Sequence, residues 1–180
     1  MDNLSKIRKF SAAFRSLLSV LLVVAPLYDV GYWALINHLP QTLITVNTQS
    51  RPLIPHHLTL GLQLAGFAVS LLPLSALMYG LVNIRKLFSS YTRGLIFSLD
   101  HVKYFKSTAK ALIAWVVFSI LYESAKSVLF SIGNPPGQRI LQVGLSSAQI
   151  TTLIVGAVVF VVAWVMDEAR ILSEENELTV

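Results

Sequence analysis

Cysteine is absent from this 180-residue chain, and with it any disulfide, thiolate metal site, cysteine nucleophile or lipoprotein attachment point. Charge is scarce: 13% of the residues are Asp, Glu, Lys or Arg, whereas 54% are hydrophobic. That is more apolar surface than one compact soluble core needs, and the mean hydropathy is +0.66. Enzyme signatures are missing as well, with no H-E-x-x-H, no G-x-S-x-G elbow, no P-loop glycine cluster and no dinucleotide fingerprint. These absences point away from an enzyme, a bound cofactor and a metal centre.

What the chain has is four long apolar runs, at residues 16–36, 58–82, 109–132 and 147–166. As a helix, 16–36 measures about 31 Å at about 1.5 Å per residue, enough for a hydrocarbon core of roughly 30 Å. A cleavable signal has a shorter apolar region followed by a small-residue cut site, so the first run is expected to be a retained span. Acids are outnumbered, 9 against 14 bases, and the bases are unevenly placed. Lys6, Arg8, Lys9 and Arg15 precede the first run; Arg85, Lys86, Arg93, Lys103, Lys106 and Lys110 separate the second and third; Arg170 follows the fourth. The other two connections carry only Arg51 and Arg139. Positive charge is retained on the cytoplasmic side. The expectation is an all-α membrane protein, one domain over 1–180, with four transmembrane helices, both termini cytoplasmic, a cytoplasmic helical connection at 83–108 and an acidic cytoplasmic tail at 167–180. The net charge of +5 then serves orientation and attraction to anionic lipid, and direct nucleic-acid binding is not expected.

Pro73 should bend span two by depriving the Val69 carbonyl of its helical partner, with Ser70 placed to compensate. Gly61 and Ala65 on span two, and Ala148, Thr152 and Gly156 on span four, recur at intervals of four, a spacing that lets helix backbones approach. On the outer side, TLITVNT (42–48) and RILQVGL (139–145), the latter after the turn NPPG (134–137), are expected to pair as a small extracytoplasmic sheet or to stay loosely structured. On the inner side, Gly94 suits the left-handed position that closes a helix, and Ser98 suits the cap of the next, with Asp100 in its first turn.

Asp29, Glu123 and Lys126 lie within spans. At about 1.5 Å per residue they sit roughly 20 to 24 Å from the inner ends of their spans, a similar depth in the outer half. Each charge would cost roughly 2.5 to 3.5 kcal/mol at mid-membrane, which favours mutual pairing. Two readings stay open: a polar pocket of Asp29, Gln63, Glu123 and Lys126 that binds an ion or small polar ligand or passes a proton, and an ion pair that snorkels outward and locks spans one and three. Ser119, Ser124 and Ser127 read as helix contacts, because no histidine shares their depth. His38, His56 and His57 are outer, interfacial histidines, with zinc ligation the minor alternative. The tail acids, including Glu174 and Glu175, are expected to meet Arg85, Lys86 or Arg93 across a docking surface that also holds Lys103.

The segment LFSSYTRGLIFSLDHVK (87–103) and the tail ILSEENELTV (171–180) resemble the central signature and acidic C-terminus of the bacterial membrane proteins grouped as domain of unknown function 2975. The resemblance runs from span one to Val180. It implies four spans in the cytoplasmic (inner) membrane and, because the family's genes often accompany one for a small helix-turn-helix regulator, an interaction role. Two functional readings follow: a membrane protein that acts by interaction, holding such a regulator, another membrane protein or copies of itself, and a small transporter or channel subunit built on the intramembrane polar cluster.

Overall fold

The computed structural model describes residues 3–40, 57–93 and 99–177, with side chains over 5–40, 57–93 and 99–172. Four helices account for almost all of them: α1 (Asn3–Ala34), α2 (Leu60–Thr92), α3 (Leu99–Ser131) and α4 (Ser147–Glu177). All four are long and apolar enough to cross a membrane. A 33-residue helix such as α2 is about 50 Å long at about 1.5 Å per residue, well beyond a hydrocarbon core of roughly 30 Å. The excess explains the helical connection expected at 83–108: residues 83–93 and 99–108 are the ends of α2 and α3. The corner expected at Gly94 and Ser98 lies outside the described residues.

The helices pack in chain order, α1 on α2, α2 on α3 and α3 on α4. Three contacts bring the start of α1, the end of α2, the start of α3 and the end of α4 to one end, which carries most of the basic residues. Phe14 stacks on Phe88 at 5.1 Å, Tyr91 on His101 at 5.0 Å, and Lys106 meets Asp167 at 2.8 Å. Small residues allow the close approaches. The buried face of α2 includes Gly66, Ser70, Ala76, Gly80, Asn83, Leu87 and Ser90. A methyl group on Gly80 would meet Ala111 Cβ at 3.2 Å, and one on Gly156 would meet Leu112 Cβ at 3.4 Å. Gly156 is thus a contact of α4 on α3, whereas Gly61 and Ala65 are exposed and the working small-residue face of α2 begins at Gly66. Pro26 and Pro73 lie inside α1 and α2, where neither can donate the backbone bond that a helix interior uses.

An apolar core lies at the opposite end, where Trp33, Ile36, Leu58 and Phe130 cluster with Tyr32, Phe67 and Tyr122 against them. The Asn37 amide fastens this end: it donates to the Leu58 carbonyl at 3.0 Å and accepts from the Leu58 N–H at 2.9 Å, tying the exit of α1 to the entry of α2. Most other large apolar side chains, such as Leu17, Val24, Ile154, Val158 and Trp164, face outward, as lipid-facing positions should.

Among the described residues there is no strand, and segment 42–48 lies outside them. The second segment has a different partner. After a turn at 135–138, with Gly137 at φ 90° and a Gln138 N–H bond to the Pro135 carbonyl of 3.0 Å, the chain runs back along α3. There the Ile140 N–H donates to Ser131 Oγ at 3.0 Å and the Gln142 N–H to Ser127 Oγ at 3.0 Å. Ser127 and Ser131 are buried, so these two serines receive a loop backbone. Ser124, by contrast, bonds the Ile120 carbonyl of its own helix at 2.8 Å.

Candidate functional site

In the half of the bundle opposite the basic end, α1 contributes Asp29, Tyr32 and Trp33, α2 contributes Gly66 and Ser70, and α3 contributes Tyr122, Glu123, Lys126 and Phe130. Lys126 is only 9% exposed, yet among the described residues it forms no ion pair. Its ammonium instead lies over three aromatic rings, 5.1 Å from the centroid of Tyr32, 5.6 Å from Phe130 and 5.8 Å from Tyr122. Cation–π attraction grows from about 0.5–1 kcal/mol at exposed sites to about 2 kcal/mol when the ion is desolvated, so the cage offsets part of the cost of burying the charge. Glu123, three residues away on the same helix, has the spacing for an ion pair but does not make one.

The cage rests on Trp33. Its indole stands edge-on to Tyr32 (centroids 5.6 Å apart, 89°) and to Tyr122 (6.4 Å, 80°), and it is tilted against Phe130 at 6.4 Å. The ring lies directly on Gly66, where any Cβ would fall inside the indole. Asp29 is held from α2: its Oδ2 is 2.8 Å from Ser70 Oγ, which is also 2.7 Å from the Phe67 carbonyl. Ser70 thus does not serve the carbonyl freed by Pro73.

Three of the four residues singled out from sequence, Asp29, Glu123 and Lys126, come to this half of the bundle. Gln63 plays another part, donating to the Leu58 carbonyl at 3.3 Å near the start of α2. Two turns further along α2, Ser70 is the residue that reaches Asp29. The aromatic members were not singled out, although a tyrosine or phenylalanine four residues either side of Lys126, at 122 and 130, is the signal that marks them.

At the basic end, Arg85 donates to Ser19 Oγ at 2.8 Å, linking α2 to α1, and remains exposed. Lys86, Arg93 and Lys103 are exposed too, with Lys103 at 3.9 Å from Asp100. Asp167 of α4, past the roughly 30 Å needed to cross from Ser147, meets Lys106 at 2.8 Å and Arg170 at 3.6 Å. The Lys106 hydrogen bond, helped by Arg170, holds the Asp167 carboxyl below the usual carboxylate range. Among the described side chains, Asp167 is the tail acid that forms an ion pair, and it joins α3 and not Arg85, Lys86 or Arg93, while Glu168 is exposed. The side chains of Glu174 and Glu175, in the last turns of α4, lie outside the described ones. So does His56; His38 and His57 are exposed.

The family model of the proteins of unknown function DUF2975 matches residues 18–180, nearly the whole chain. The chain belongs to the DUF2975 family. This DUF2975 protein matches no curated protein and no solved structure. In this DUF2975 chain, the match takes in the caged lysine and the parts of the basic end that α2, α3 and α4 supply.

Proposed function

We propose that this is a multi-pass protein of a bacterial inner membrane that acts by protein interaction, holding a small helix-turn-helix regulator at its basic end. In this reading both termini and the basic end face the cytoplasm, as the distribution of Lys and Arg favours. The observation that carries it is the disposition of charge. Asp167 is engaged by Lys106 and Arg170, while Arg85, Lys86, Arg93 and Lys103 stand exposed on the ends of α2 and α3. A surface of that kind suits a partner with an acidic face. The open side of α4, which packs on α3 alone, leaves room for another membrane protein or a second copy.

Photo-crosslinking in cells, with a probe at Lys103, tests the reading. A captured DNA-binding protein whose yield falls in Lys86→Glu/Arg93→Glu is the expected result. Capture of the protein alone would overturn it.

A second reading is favoured by the caged Lys126 and the Asp29–Ser70 contact: a small transporter or channel subunit that works through the intramembrane polar cluster. Solute or ion flux in proteoliposomes, lost in Glu123→Ala/Lys126→Ala with the fold retained, is its signature.

A further inference from the structure

The polar cluster contains more carboxylates than cations. Asp29 and Glu123 stand against the single ammonium of Lys126, and α2 carries no ionisable side chain between residues 60 and 78. The remaining ionisable groups are tyrosines, Tyr28 and Tyr32 on α1 and Tyr122 on α3. Fully ionised, the cluster holds a net negative charge within the span, where unpaired charge is costly. One added proton makes it neutral.

The oxygen–oxygen contacts around Ser70 point to where that proton goes. Ser70 Oγ lies 2.8 Å from Asp29 Oδ2 and 2.7 Å from the Phe67 carbonyl oxygen. A serine hydroxyl has one hydrogen and two lone pairs. With Asp29 ionised, both neighbours are acceptors, and one short oxygen–oxygen contact is left without a hydrogen. With Asp29 protonated, its O–H donates to Ser70 Oγ, the Ser70 O–H donates to Phe67, and both contacts are satisfied.

We propose that Asp29 is a proton-binding site, a carboxyl that carries its proton at neutral pH and passes a hydrogen bond through Ser70 to the backbone of α2. Release of the proton makes the Ser70 hydroxyl choose between Asp29 and Phe67, so the protonation state sets the contact between α1 and α2. The inference rests on the polar-cluster reading and names its ligand, the proton.

Infrared spectroscopy of the whole protein in lipid nanodiscs at neutral pH tests it. The expected result is a protonated-carboxyl stretch that disappears in Asp29→Asn, persists in Glu123→Gln and shifts in Ser70→Ala. Asn at 29 keeps a donor toward Ser70, so that variant should fold. Absence of the band in the native protein, or its survival in Asp29→Asn, would overturn the proposal. Flux assays judge the transport reading separately: no flux with the band present removes the transporter and leaves the proton site standing.

Discussion

An alanine at position 66 would place its methyl group within the Trp33 indole, so α1 and α2 would have to separate or the ring turn away. Overpacking of this kind typically costs about 1–3 kcal/mol. Because Trp33 also contacts Tyr32, Tyr122 and Phe130, the effect should reach Lys126. Gly66→Ala is expected to lower the thermal midpoint in detergent and to alter tryptophan fluorescence, whereas Gly61→Ala, with open space at its Cβ, should leave both unchanged. At this scale the sequence was only partly legible. The charge of Lys126 and its depth could be counted from the chain, but Tyr32, 94 positions away, joins its cage only after α1 has packed. Gln63 misled because its amide, near the start of α2, donates instead to the carbonyl of Leu58, just before the helix.

For the elements, the four apolar runs were plain because about 20 apolar residues in succession admit few alternatives to a membrane helix. The length of the helices beyond those runs was less visible, since Lys, Arg and Asp on an overhang do not disturb helix formation. Docking of the 140–142 backbone on Ser127 and Ser131 was hidden altogether, because a serine facing a neighbouring helix and one facing a loop look alike in sequence. Pairing of α3 with α4 through Lys106 and Asp167 gives a pH dependence with a definite sign. The Asp167 carboxyl is held below its unfolded value of about 3.9. The contact therefore contributes fully above that value and is lost as pH falls through the lower, folded one. Spin labels at the two helix ends are expected to separate on acidification below the usual carboxylate range. In Asp167→Asn the distance should no longer depend on pH in that window.

Across the whole molecule, the basic end and the Trp33 core lie at opposite ends of the bundle, and an uneven distribution of Lys and Arg is what sets orientation in a bilayer. If the basic end is cytoplasmic, reporter tags fused before α1 and after α4 should both be active only as cytoplasmic reporters, and a tag inserted at Gly137 only as an extracytoplasmic one. Substituting glutamine for Arg85, Lys86, Arg93 and Lys103 together is expected to weaken that preference and yield a mixture of orientations. A single orientation unaffected by the four changes would show that α1 and its four preceding bases decide the topology alone.

The order of packing, each helix against the one before it, also bears on how the protein is made. A chain emerging from the ribosome would meet its partners in the sequence in which they are synthesised, and no helix has to wait for a distant one. Asp29, Ser70 and Lys126 all lie before residue 132, so every residue of the polar cluster is synthesised before α4 begins. Synthesis therefore divides the molecule unequally: three helices supply every residue around the buried lysine, and the last adds only its packing on α3.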